Sequence, residues 1–239
     1  MKHRAGRLVN RLELGGLLSM GHSQDTGWAA AYWGCAMAHA VGHVLNVPVL
    51  RVVSKSALMP TLAAWSRCRG CPRLLVAALL ASATGDTLME QGLLYPGMAT
   101  YAAAHACYVT LFARGLERTR WQVLAAYTGA GSAIVAVLWP RLGPLRRSVA
   151  AYSVMLTATA VTSGWYDRRT GSGGALFLIS DALIGTRLAG HDFPSRAPLV
   201  GLTYTIGQYQ LASGVVAHHR QQRIQVAAKG NGATCLKQS

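Results

Sequence analysis

Residues 174–185 read Gly-Ala-Leu-Phe-Leu-Ile-Ser-Asp-Ala-Leu-Ile-Gly. Asp181 stands in the middle of an apolar run long enough to cross a bilayer. A carboxylate at that depth costs roughly 2.5–3.5 kcal/mol on insertion scales. A second run, Leu74 to Met89, carries Asp86 within Thr-Gly-Asp-Thr-Leu. The chain has eight acidic residues; the other six (Glu13, Asp25, Glu90, Glu117, Asp167 and Asp192) fall in tails or between apolar runs. Two carboxylates inside apolar helices mark the place to look for function.

The rest of the composition sets the fold class. Of 239 residues, 51% are hydrophobic and 13% charged, where a soluble domain carries about 25% charged residues. Apolar blocks alternate with short, Arg-rich junctions. This predicts an all-α polytopic transmembrane bundle of about eight helices. The spans are expected near 27–45, 47–66, 73–90, 93–113, 121–139, 145–166, 172–189 and 197–218. The second is the least regular, because Arg51 and Lys55 interrupt it. A net charge of +15 raises the question of nucleic acid. The arginines, however, sit one to three at a time beside apolar runs, and no aromatic-studded basic patch forms. No nucleic-acid partner is expected; the expected partners are the bilayer and a lipid.

Three regions follow: a basic cytoplasmic tail over 1–25, a transmembrane domain over 26–219, and a basic, disordered tail over 220–239. The N-terminal piece lacks the apolar core and cleavage site of a signal peptide. Lys and Arg weigh toward both termini inside the cell, although Arg141, Arg146 and Arg147 pull the other way. Trp28, Trp65, Trp121, Trp139 and Trp165 fall near segment ends, as an interfacial belt requires. The expected location is the cell membrane, multi-pass.

Depth along the helices groups the polar residues. With a rise of about 1.5 Å per residue, Asp86 and Asp181 lie at similar depth on helices running in the same direction. Lys55, His105, Tyr204 and Gln208 fall at comparable depth on neighbouring spans. Polar groups in hydrocarbon must face the bundle interior and each other, so one shared polar cavity is expected. A simple Asp–Lys tie between helices is the structural alternative for the aspartates. Packing is the alternative for His105, and interhelical hydrogen bonding for Tyr204 and Gln208. His39 and His43, four residues apart, form a possible metal face without a third ligand, so no metal is expected. Cys68-Arg-Gly-Cys71 is a lone CxxC among five cysteines, a weak signal for zinc or redox chemistry without a second Cys or His pair. Gly129-Ala-Gly131 and Gly171-Ser-Gly-Gly174 do not lie between a strand and a helix, and packing is their expected use. Gly85-Asp86-x-Leu88 is similar to Ser180-Asp181-x-Leu183, and Tyr101-x-x-x-His105 to Tyr204-x-x-x-Gln208. Two parallel four-helix halves would explain both.

At these residues the chain resembles the lysoplasmalogenase (YhhN-like) family of integral membrane proteins. The blocks are Lys55-Ser-Ala-Leu-Met-Pro60, Gly85-Asp86, Gly97-x-x-x-Tyr101-x-x-x-His105-x-x-Tyr108, Gly174-Ala-Leu-Phe-Leu-Ile-Ser-Asp181 and Thr203-Tyr204-x-x-x-Gln208. Ser56 and Leu94 depart from the family's usual Pro and aromatic residue; neither change removes an ionisable group. The resemblance implies an eight-helix fold and hydrolysis of the vinyl ether bond of a lysoplasmalogen. It also points to Asp86 and Asp181 as the catalytic pair.

Such chemistry needs an acid to protonate the β-carbon and a negative charge beside the resulting oxocarbenium ion. Two carboxyls in different surroundings supply both, as in glycoside hydrolysis. Asp181, in the more apolar setting, is the expected acid. Asp86, held ionised by Lys55 or by hydrogen bonds from Tyr204 and Gln208, would steady the cation and orient water. His105 would assist collapse of the hemiacetal or position the phosphate. Tyr108 and Ser180 are supporting residues, and no cofactor is expected. A proton-coupled transporter and a lysolipid ester hydrolase, for which Ser180 is the only hint of a nucleophile, are the rival readings.

Overall fold

A computed structural model describes residues 26–115 and 120–235, with the backbone alone over 227–235. The basic N-terminal tail and the last four residues of the C-terminal tail lie outside the described residues. Among the described residues there are eight α-helices and no strand. They are α1 (residues 26–44), α2 (Pro48–Cys68), α3 (Arg73–Glu90), α4 (Leu94–Ala113), α5 (Trp121–Leu138), α6 (Arg146–Tyr166), α7 (Arg168–Leu188) and α8 (Arg196–Cys235). The turns between them are short. Asn46 at φ 52° and Gly70, Gly92 and Gly190 at φ 70–80° take the left-handed conformation that ends one helix before the next begins.

Two boundaries differ from expectation. Helix α7 starts at Arg168 instead of residue 172, because the Asp167 side chain accepts a hydrogen bond from the Arg169 amide at 3.0 Å and caps the first turn. The expected break after residue 219 is absent: α8 continues to Cys235. Gln, Ala and Arg are the commonest residues along the first part of that extension; they are good helix formers, and no proline interrupts them.

Six helices form a closed ring. Helix α3 packs on α2 and α4, α7 packs on α6 and α8, and the ring closes where α4 meets α6 and α8 meets α2. Helix α5 lies outside against α6, with a smaller contact to α7. Helix α1 is tied to α8 by Tyr32, whose hydroxyl donates to the Thr205 carbonyl at 2.7 Å. Glycines set the tightest crossing. A Cβ on Gly173 would come within 2.8 Å of both the Gly207 carbonyl oxygen and the Leu211 amide nitrogen. The α7 and α8 backbones thus touch directly, as small residues allow in apolar surroundings.

An apolar core that includes Leu58, Leu62, Leu79, Phe112, Phe177 and Leu211 also encloses polar side chains: Ser82, Asp86, His105, Thr159, Ser180 and Gln208 are buried, while Val44, Val49, Trp121, Val154 and Leu202 are exposed. Among the described residues, one helix with its following turn, Trp121–Arg141, is long and apolar enough on its own to cross a membrane. The other helices reach comparable lengths, but their inward-facing polar residues dilute their apolar character. Trp65 departs from the expected interfacial belt: it is buried and tilts against the Tyr209 ring at a centroid distance of 5.7 Å.

Candidate active site

Asp86 is 3% exposed and held from three other helices. Tyr101 of α4 donates to Oδ1 at 2.6 Å, and Tyr204 of α8 donates to Oδ2 at 2.9 Å. Lys55 Nζ of α2 lies 3.7 Å from Oδ1 and donates to Glu90 Oε1 at 2.7 Å. Local structure explains each position. Asp86 and Glu90 stand four residues apart, hence on one face of α3, and Lys55 reaches both from the adjacent helix. Gly85 lets Tyr101 in, since a Cβ there would sit 3.0 Å from the tyrosine ring. Two hydroxyl donors and an ammonium around one carboxylate favour its ionised form.

Asp181 is surrounded differently. Tyr152 of α6 donates to its Oδ2 at 2.5 Å. With that proton committed, the Tyr152 oxygen accepts from His105 Nε2 at 3.1 Å, and His105 Nδ1 accepts from Thr159 Oγ1 at 3.0 Å. The row Thr159–His105–Tyr152–Asp181 is therefore built from neutral groups. Asp181 has no ion pair among the described residues.

Asp181, Tyr101 and Tyr152 line one cavity of about 70 Å³, whose other walls are mostly apolar side chains such as Met98, Ile134 and Leu178. Asp86 is not in its wall; it lies behind Tyr101, within electrostatic reach of Asp181. The expected shared polar cavity is therefore not formed: Asp181 lines this cavity, and Asp86, Lys55, His105, Tyr204 and Gln208 do not. Tyr101 connects the two, since its side chain lines the cavity and its hydroxyl donates to Asp86.

Lys55, Tyr204 and His105 join this constellation, but three expected neighbours do not join it directly. Gln208 gives its carbonyl oxygen to Tyr108, whose hydroxyl donates at 2.6 Å, and does not touch Asp86. Tyr108 serves that pair alone. Ser180, adjacent to Asp181 in sequence, turns to the Val200 carbonyl of α8 at 3.3 Å; consecutive residues on a helix point about 100° apart. No base stands beside it to make it a nucleophile. Three participants were missing from the expected set: Tyr101, Tyr152 and Glu90. Tyr101 was visible in the Tyr101-x-x-x-His105 motif, and Glu90 by its four-residue spacing from Asp86. Nothing in the local sequence distinguishes Tyr152.

His39 is used locally. Its Nδ1 lies 3.1 Å from the Arg51 carbonyl oxygen, and its ring meets His43 edge-on. Among the described residues no three metal-ligating side chains converge. Cys68 is exposed and Cys71 buried, both as free thiols.

A family model described as the YhhN family matches residues 50–215. This is well over half of the chain, and it contains every residue of both carboxyl clusters. No curated protein and no solved structure matches the chain.

Proposed function

Because this chain belongs to the YhhN family, the membrane family of the lysoplasmalogenases, we propose that it is a multi-pass hydrolase of the cell membrane that cleaves the vinyl ether bond of a lysoplasmalogen. The observation that carries the reading is the unequal surroundings of two carboxyls joined through the wall of an apolar cavity: Asp181, in the wall, with a single tyrosine, and Asp86, bonded to the wall residue Tyr101, with two tyrosines and a lysine.

The steps follow from those positions. The alkenyl chain lies in the apolar cavity with its double bond over Asp181. The Asp181 carboxyl gives its proton to the β-carbon, leaving a carboxylate and an oxocarbenium ion at the α-carbon. The negative charge on Asp86, close behind Tyr101, and the new charge on Asp181 stabilise that cation electrostatically. Water adds to the α-carbon. Its proton passes to the Tyr101 oxygen as the tyrosine proton passes to Asp86, so Asp86 acts as base through Tyr101. The hemiacetal then transfers its hydroxyl proton to the ether oxygen, the C–O bond breaks, and the aldehyde and glycerophospho-alcohol leave. Return of one proton from Asp86 to Asp181 restores the starting state. The net change is addition of one water across the broken linkage.

Purified protein in lipid nanodiscs should release aldehyde from a 1-alkenyl lysophospholipid and none from the matching 1-acyl ester. Ester cleavage with vinyl ether resistance would replace this reading by an esterase. Transbilayer flux of the intact lipid without any product would replace it by a transporter.

A further inference from the structure

Hydrolysis consumes water, yet the cavity in front of Asp181 is walled by apolar side chains and, on the reading above, filled by the lipid chain during turnover. Water must arrive by another side. The other side of Asp86 carries an unusual set of buried polar atoms. Gln208 Nε2, Ser82 Oγ and Trp65 Nε1 are all buried and have no hydrogen-bond partner among the described residues. Gln208 and Ser82 are fully buried. Such atoms are rare in native proteins, and each costs about 1–3 kcal/mol unless a water satisfies it.

Helix register brings the first two together. Tyr204 of α8 meets Asp86 of α3, and the two helices run in opposite directions. Ser82 lies one turn before Asp86 and Gln208 one turn after Tyr204, so they face each other one layer further in. Neither atom finds a protein partner among the described residues, and a water making two hydrogen bonds of about 2.8 Å is the ligand that would satisfy both. Tyr108 fixes the amide, because its hydroxyl takes up Gln208 Oε1 and leaves Nε2 as a free donor. Tyr209, next to Gln208, packs on the Trp65 ring. The third orphan donor therefore lies within about a turn of the same layer, toward the C-terminal end of α2, where Arg67, Arg69 and Arg73 cluster.

We infer that Gln208 and Ser82 hold a buried water one helical turn behind Asp86, and that this site feeds the hydrolytic water from the arginine-rich end of the bundle. Lipid and water thus approach the acids from opposite sides. Gln208 and Ser82 are positioning residues, acting on water and not on the lipid. The inference rests on the hydrolase reading for its role, but not for the existence of the site.

X-ray footprinting in oxygen-18 water tests both parts on the full-length protein in nanodiscs, because the radicals form at bound waters and mark the side chains beside them. Tyr108 and Trp65, both buried, should take up label in the native protein. Gln208→Leu should lose the label, and Ser82→Ala, which alters packing little, should reduce it. In the same preparations, Gln208→Leu should lower kcat about tenfold with KM nearly unchanged, as expected for losing one donor to a buried water. Added methanol should capture a larger share of the cation as mixed acetal in this variant than in the native enzyme. A native protein that releases aldehyde with Tyr108 and Trp65 unlabelled overturns the water site. Label that persists unchanged in both variants overturns the assignment to Gln208 and Ser82. A labelled protein that releases no aldehyde overturns the hydrolase reading and leaves the site standing.

Discussion

The two aspartates lie on different helices of the ring and differ in their neighbours: Asp86 has a lysine and two tyrosines, Asp181 one tyrosine. Asp86 lies on α3 and Asp181 on α7, and each takes a side chain from the helix just before it. For Asp86 that side chain is Lys55 of α2; for Asp181 it is Tyr152 of α6. An ammonium stabilises a negative carboxylate, whereas a phenol hydrogen-bonds to either form without adding charge. The difference in kind, cation against neutral donor, sets the two carboxyls apart in the same apolar surroundings. It matters because the proposed chemistry needs one charged and one protonated carboxyl at once.

The largest expected effect comes from erasing one carboxyl. Asp181→Asn removes the proton donor and should reduce aldehyde release by about 10³-fold, within the usual range for a general acid. Asp86→Asn should be nearly as damaging. Full activity in either variant would remove the two-carboxyl mechanism. Lys55→Met attacks the difference itself: with no cation Asp86 becomes neutral like Asp181, and turnover should fall by about a hundredfold while the protein stays folded. Tyr152→Phe deprives Asp181 of its one side-chain hydrogen bond among the described residues and should cost about tenfold in kcat. Tyr204→Phe should cost less than Tyr152→Phe, since Lys55 and Tyr101 still hold Asp86. Glu90→Gln is the mildest test. It frees Lys55 to serve Asp86 alone, and kcat should change by about threefold or less, because Glu90 is a solvent-exposed partner. A large loss there would place Glu90 inside the mechanism. Gly173→Ala is the stability control. It should lower the thermal midpoint by forcing α7 from α8, at a cost of about 1–3 kcal/mol, with no change in the relative effects of the site variants.

The helices and the aspartate pair were legible in the sequence for one reason: in a membrane, charge is expensive and thus visible. Asp86, Asp181 and Lys55 stand out against apolar runs, and helix periodicity places them at one depth. Tyrosine carries no such signal. Tyr101 and Tyr152 pair with the carboxyls as neutral donors, yet a tyrosine in a membrane helix serves equally well at an interface or in packing. Tyr152 could be recognised only once α6 was set beside α7. The roles of Gln208 and Ser180 were misplaced for the opposite reason. Depth alone brought them to the site, but rotation about the helix axis decides where a side chain points, and Gln208 turns to Tyr108 and Ser180 to the α8 backbone. The helical continuation to Cys235 escaped because polar composition was read as disorder, although polar residues are often good helix formers.

Helix α5 is fastened at both ends. Near its start, Tyr127 donates to the Gly171 carbonyl at 2.8 Å and Trp165 donates to the Arg120 carbonyl at 3.1 Å. At its far end Ile134 and Leu138 line the cavity, and Arg146 of α6 donates to the Trp139 and Pro140 carbonyls just beyond it at 2.8 and 3.0 Å. Among the described residues, every partner of the two carboxyls comes from α2, α4, α6 or α8. Helix α5 therefore walls the cavity without contributing a bond to either acid, so the shape of the cavity can be altered from α5 while the bonds around both carboxyls are left intact.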